Sequence, residues 1–110
     1  MPSEIELEHT ARDMAARAGL VAKLLKALGN ERRLLVLCPL VEMGEANAGA
    51  LGTAIGLSQS AMSQHLAVMR EEGLLSTRRE GTTIFYTIAD PKLTELMDTL
   101  HRLYCSPNAA

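Results

Sequence analysis

Three observations predict a mainly α-helical fold with one small β-hairpin, in the order four helices, two strands, then a fifth helix. Apolar residues recur at helical spacing in four stretches, 9–28, 31–44, 58–73 and 90–104. A short segment of small residues, 47–56, ends in a glycine turn directly before the third of these stretches. One β-prone run, 75–88, alternates about Glu80-Gly81. Composition agrees: 47% of the 110 residues are hydrophobic but only 3% aromatic, with no Trp, so the core must be built from Leu, Val, Ile, Ala and Met.

Met14, Ala18, Val21, Leu25 and Leu28 form one stripe of the first helix, and Gly29-Asn30 stops it. Glu31 opens the second helix, whose apolar face is predicted to be Leu34, Leu37, Cys38 and Val41. Pro39 removes a backbone donor there and is expected to kink or loosen the helix, and Gly44 ends it. The third helix holds two glycines in its interior, Gly49 and Gly52, so a neighbour must pack closely against it. Ser58 is the predicted cap of the fourth helix, with Met62, Leu66 and Met69 facing inward and Gly73 terminating it. Asp90-Pro91 starts the last helix, whose stripe is Leu93, Leu96, Met97, Leu100 and Tyr104. The expected organisation is a single domain over 1–104, with 105–110 a flexible tail.

A short helix, a glycine turn and an amphipathic second helix make a helix-turn-helix, and a hairpin directly after it is a wing. The predicted fold is thus a winged helix-turn-helix. The outer surface of the fourth helix shows Gln59, Ser60, Ser63 and Gln64, with His65 at its flank. Amide side chains match the hydrogen-bonding edges of bases in the major groove. Ser58, Ser60, Ser63 and the free N–H groups of the helix start suit phosphates. Alone, that surface also fits a solvated helix face; the neighbouring wing favours double-stranded DNA. In the wing, Arg78 and Arg79 point to opposite faces of a pleated strand, so one of them faces a phosphate or the minor groove. The terminal helices carry broad apolar stripes that either complete the monomer core or pair between subunits. A homodimer sets two recognition helices about one DNA turn, ~34 Å, apart on a pseudo-palindromic operator.

Charge gives this reading no support. The formal net charge is −2, and residues 58–89 hold three Arg against three Glu. Nucleic-acid binders usually carry a basic footprint, so the inference rests on pattern and local geometry. Other classes are excluded more firmly. No run of 18 apolar residues is present, so no membrane span is expected, and the acidic start is unlike a secretory signal; a cytoplasmic protein follows. Gly44, Gly49, Gly52 and Gly56 lack the Lys-Ser/Thr of a phosphate loop, and no nucleophile–base arrangement stands out, so no enzyme and no cofactor are predicted.

Cys38 and Cys105 are too far apart and too few for a disulfide scaffold. Buried cysteine is ordinarily an inert small hydrophobe, whereas a position near the chain end favours reactivity for Cys105. His101 and Cys105 stand one helical turn apart, so a Cys38/His101/Cys105 metal site is permitted by spacing, though no Cys-x-x-Cys is present and no metal is predicted. His9 reads as a surface residue.

The run Leu-Gly-Asn-Glu-Arg-Arg-Leu-Leu-Val-Leu (28–37) resembles the second-helix signature of the ArsR/SmtB repressor family. So do residues 56–75, centred on Ser-Gln-His-Leu, and the wing segment Arg-Arg-Glu-Gly-Thr-Thr-Ile-Phe-Tyr. The resemblance spans about residues 10–104 and implies a dimeric winged-helix repressor that leaves DNA when an inducer acts. The family's usual metal patterns are missing: the second helix has Cys38-Pro39 in place of a Cys-x-Cys, and Asp98 and His101 are spaced differently from the last-helix ligand set. Cys38 and Cys105 instead match the positions of the persulfide-sensing, BigR/SqrR-like dithiol branch. That resemblance implies a redox switch: reactive sulfur or an oxidant bridges the two cysteines within one subunit, and DNA affinity drops. A metal-responsive repressor using Cys38, His101 and Cys105 is one alternative, and a winged helix used for protein interaction is another.

Overall fold

The computed structural model describes residues 1–105. The expected flexible tail lies outside them, Cys105 excepted. The chain divides into two compact units, Met1–Glu31 and Arg32–Ala110.

The first unit is a single helix, α1 (Glu4–Leu28). It starts ahead of the expected residue 9 because Ser3 caps it, its Oγ accepting from the Glu6 N–H at 3.2 Å. Ser3 followed three residues later by Glu6 is the sequence pattern of a capping box, a signal the periodicity argument passed over. Of the predicted stripe, Met14, Ala18 and Leu25 are exposed, Val21 is half-buried and Leu28 is buried.

The second unit comprises α2 (Glu31–Met43, entering it at Arg32), β1 (Ala46–Asn47), α3 (Ala48–Ile55), α4 (Gln59–Glu71), β2 (Leu75–Glu80), β3 (Thr83–Ile88) and α5 (Pro91–Tyr104). Its core gathers Val36, Leu37 and Leu40 from α2, Leu51 from α3, Met62 and Leu66 from α4, and Leu93 and Met97 from α5. The buried face of α2 is therefore turned from the predicted one. Leu34, Cys38 and Val41 are only half-buried, and the chain covers Val36 and Leu40 instead. Periodicity finds a stripe; the elements packed against it decide which edge of the stripe is covered. The helix runs unbroken through Pro39, which leaves the Leu35 carbonyl without a helical donor, and closes at Gly44, φ +80°.

The helix-turn-helix depends on one close approach. A Cβ on Gly52 would lie 2.6 Å from the Leu57 carbonyl oxygen, and the Leu57 N–H donates back to the Gly52 carbonyl at 2.9 Å. Gly56, φ +78°, makes the turn between them. This is the close packing that interior glycines predict. Gly49 has no such requirement, since its Cβ would meet nothing closer than 3.5 Å.

The sheet has three strands, ordered β1-β3-β2, one more than the hairpin predicted from sequence. Ala46 and Asn47 pair with Tyr86 and Phe85, a two-residue bridge with no alternation or β-branched residue to signal it. The hairpin register places Glu80 opposite Thr83, so the tip is Gly81-Thr82, one residue beyond the predicted Glu80-Gly81. Gly81, φ +61°, supplies the positive φ that a two-residue hairpin turn needs. Among the described residues no helix is long and apolar enough to cross a membrane.

Candidate nucleic-acid interface and dithiol

The start of α4 is built by its cap. Ser58 Oγ accepts from the Ala61 N–H at 3.1 Å, as predicted, and α4 then turns Met62, Leu66 and Met69 into the core. What is left outside sorts into three flanks of the helix. Ser60 and Gln64, one turn apart and exposed, form the outer ridge. Gln59 and Ser63 line a cleft of about 350 Å³ against the wing, together with Asn47, Gly49, Thr82, Thr83 and Ile84. His65 lies on the opposite flank, in an apolar groove with Arg32, Leu35, Ile55, Leu57 and Ala61. The structure thus brings Gln59, Ser60, Ser63 and Gln64 together beside the capping Ser58, and sets His65 apart from them.

Asn47, Thr82 and Thr83 belong to the polar cleft and were missed in the sequence. Asn47 is also the cap of α3, its Oδ1 accepting from the Ala50 N–H at 2.8 Å. Asparagine before a run of small residues is the signal that was available for it. Thr82 and Thr83 join the site only through the hairpin register.

In the wing, the two arginines stand on opposite faces, as a pleated strand requires. Arg78 pairs with Phe85 and Arg79 with Ile84. The Arg78 guanidinium is bound on three sides. Its Nε and Nη2 donate to the carboxylate of Glu45 at 3.1 and 2.5 Å, Nη1 donates to Glu80 at 3.0 Å, and its plane sits 4.6 Å from the centre of the Phe85 ring. The hydrogen bond from Arg78 holds the Glu45 carboxyl below its ordinary value, and Glu45 and Glu80 together raise Arg78 above its own. The Arg79 guanidinium has no hydrogen-bond or ion-pair partner among the described residues.

The second feature lies between α2 and α5. Cys38 Sγ and Cys105 Sγ, 67 positions apart in sequence, are 2.9 Å from each other as free cysteines. One turn further on, His101 Nε2 faces Glu42 Oε2 at 3.4 Å. Cys38 and Glu42 share one face of α2, and His101 and Cys105 one face of α5, so the helices meet through two successive side-chain pairs. Burial is the main cause that pushes the Cys38 thiol up to about 12, helped by the hydrogen bond with Cys105, the charge of Cys105 and the Glu42 carboxylate. Cys38 is half-buried and Cys105 exposed. His101 is turned to Glu42, and no group of three His, Cys, Asp or Glu suited to a metal occurs among the described residues.

A capped helix-turn-helix followed at once by a wing defines a winged helix-turn-helix DNA-binding transcriptional regulator. Residues 30–77 match the model of the bacterial regulatory protein, arsR family, and the chain belongs to that family. It is 44% identical over 97 residues to the transcriptional activator HlyU of Vibrio cholerae, covering 88% of this chain and 89% of that protein. It is 42% identical over 97 residues to the biofilm growth-associated repressor of Xylella fastidiosa, covering 88% and 84%. The crystal structure of the transcriptional repressor BigR from Xylella fastidiosa superposes with a TM-score of 0.74 at 42% identity, covering 87% of this chain and 97% of that one. These relatives are transcriptional regulators rather than enzymes. Regulators of this family bind DNA and typically act as dimers.

Proposed function

We propose that the protein is a homodimeric, sequence-specific DNA-binding repressor whose affinity for its operator is switched off by thiol chemistry at Cys38 and Cys105. The observation that carries this reading is the 2.9 Å approach of the two sulfurs. In the reduced dimer, Gln59, Ser60, Ser63 and Gln64 enter the major groove of a pseudo-palindromic operator, Ser58 and the α4 start meet phosphate, His65 stands at the flank, and the wing with Arg78 and Arg79 lies alongside.

The chemistry starts at Cys105, the exposed thiol, because Cys38 keeps its proton. The Cys105 thiolate attacks a sulfane sulfur of an inorganic polysulfide; the S–S bond breaks, the shortened polysulfide leaves with the electron pair, and Cys105 becomes a persulfide. Cys38 then loses its proton and attacks the inner sulfur, expelling hydrosulfide. The dithiol has been oxidised by two electrons to a disulfide and the donor reduced. Each sulfur retained in a longer bridge requires one further sulfane sulfur delivered. Peroxide reaches the same disulfide through a sulfenic acid. Because the sulfurs already lie close, no extra sulfur is needed to span a gap, so selectivity among inducers rests on their reactivity. A bridge ties α2 to α5 and alters the spacing of the two recognition helices.

DNA shift assays with and without polysulfide, read beside peptide mass mapping, test this. The wild type is expected to lose DNA affinity as a Cys38–Cys105 cross-link appears within one chain, with C38S and C105S binding DNA but not responding. A full response in either variant would overturn the switch.

A further inference from the structure

Arg78 stands out among the wing residues because its side chain crosses the sheet. It leaves edge strand β2, passes over Phe85 of the central strand β3, and ends on Glu45, which immediately precedes the other edge strand, β1. One side chain therefore spans all three strands and joins them to the loop that closes α2 at Gly44. The grip is two-pronged on Glu45, with Glu80 on a third donor, a geometry that an arginine fork makes and a lysine does not. Two carboxylates around one guanidinium leave the cluster net negative, and a DNA phosphate brought to Arg78 would meet both of them.

Arg79 has the opposite situation. Its ladder partner Ile84 lines the cleft that Gln59 and Ser63 of α4 share with the wing, so Arg79 lies on the sheet face turned to the recognition helix. Its guanidinium is unengaged among the described residues.

We propose that Arg78 is a positioning residue that holds the wing to the end of α2, and that Arg79 is the wing residue that meets DNA phosphate. This assignment rests on the DNA-binding reading above. It divides between two residues a role that sequence alone assigned to the pair, and it adds Glu45 to the machinery of DNA recognition.

The test is the salt dependence of binding to a mixed-sequence duplex, with backbone hydrogen exchange read on residues 76–88. R79A is expected to lower the slope of log K against log salt by about 0.9, one phosphate contact, with wing exchange unchanged. R78A is expected to leave the slope unchanged, to weaken binding by about 3- to 10-fold at every salt concentration, and to speed exchange throughout the wing. E45A reproduces R78A without touching a cation, and the double variant adds little beyond either one. If R78A lowers the slope as R79A does, or if E45A raises affinity and slope by releasing a guanidinium to DNA, the assignment is overturned. A wild type with no salt-dependent duplex binding would instead overturn the DNA reading itself.

Discussion

Cys38 and Cys105 are unequal thiols held in one pair. Burial and the neighbouring Cys105 and Glu42 push Cys38 from an ordinary 9.0 up to about 12, so it stays protonated across the physiological range. A raised folded-state value means the proton is held more tightly when the chain is folded. The stabilisation it brings is complete below about pH 9 and is lost as pH rises towards 12. Since thiolate is the nucleophile, Cys38 should hold roughly 100- to 1,000-fold less of it than a free cysteine at pH 8. Limited alkylation with iodoacetamide, mapped at single-hit conversion, is expected to label Cys105 first, with Cys38 labelling still climbing above pH 10. Equal labelling at pH 8 would contradict the order of attack proposed for the switch. The sequence placed Cys38 on a helix face and Cys105 at a helix end, but neither position reveals that the two sulfurs meet.

At the scale of the element, the helix-turn-helix is set by Gly52 and by the cap at Ser58. A methyl group on Gly52 meets the Leu57 carbonyl at 2.6 Å, and a backbone atom in a turn cannot swing aside as a side chain does. Gly52→Ala is expected to cost about 1–3 kcal/mol, seen as a lowered Tm, and to displace α4 enough to weaken DNA binding. Gly49→Ala is the control: its Cβ is unobstructed and the substitution favours a helix, so Tm should hold or rise. Ser58→Ala should cost about 1 kcal/mol by leaving the Ala61 N–H unbonded. Gly56 and Ser58 were readable as a turn and a cap because each carries a local backbone requirement. Strand β1 was not readable: Ala46 and Asn47 have no strand preference of their own and form a strand only because Tyr86 and Phe85 offer backbone partners. The hairpin tip was misplaced by one residue for a related reason, since Gly81 fits either position of a two-residue turn and the register decides.

Across the whole molecule, apolar surface remains to be covered. Ile5, Leu7, Met14, Leu20 and Leu25 of α1 and Leu103 and Tyr104 of α5 are all exposed in the single chain. Scattered apolar residues are normal on a surface, but two terminal helices that both carry them suit a twofold partner. Sedimentation is expected to find a dimer at micromolar concentration, and Met14→Glu to shift it to monomer. DNA affinity should fall as the dimer is lost, because a single recognition helix reads one half-site. A Met14→Glu protein that remains dimeric would exclude α1 from the contact.

The sequence by itself determined the order of the helices and the hairpin, the winged helix-turn-helix and the family, because these follow from spacing, caps and turns that act over a few residues. It also singled out the polar surface of α4 and the two cysteines as candidate functional groups. Only the tertiary structure decided which side of α2 is buried, that the sheet has a third strand, that Cys38 faces Cys105 and that Arg78 is tied to Glu45 while Arg79 is not. Each of these joins residues 33 to 67 positions apart, or depends on which neighbour covers a face. Local periodicity carries no information about such pairings; they are settled when the core closes and all the backbone partners are assigned at once.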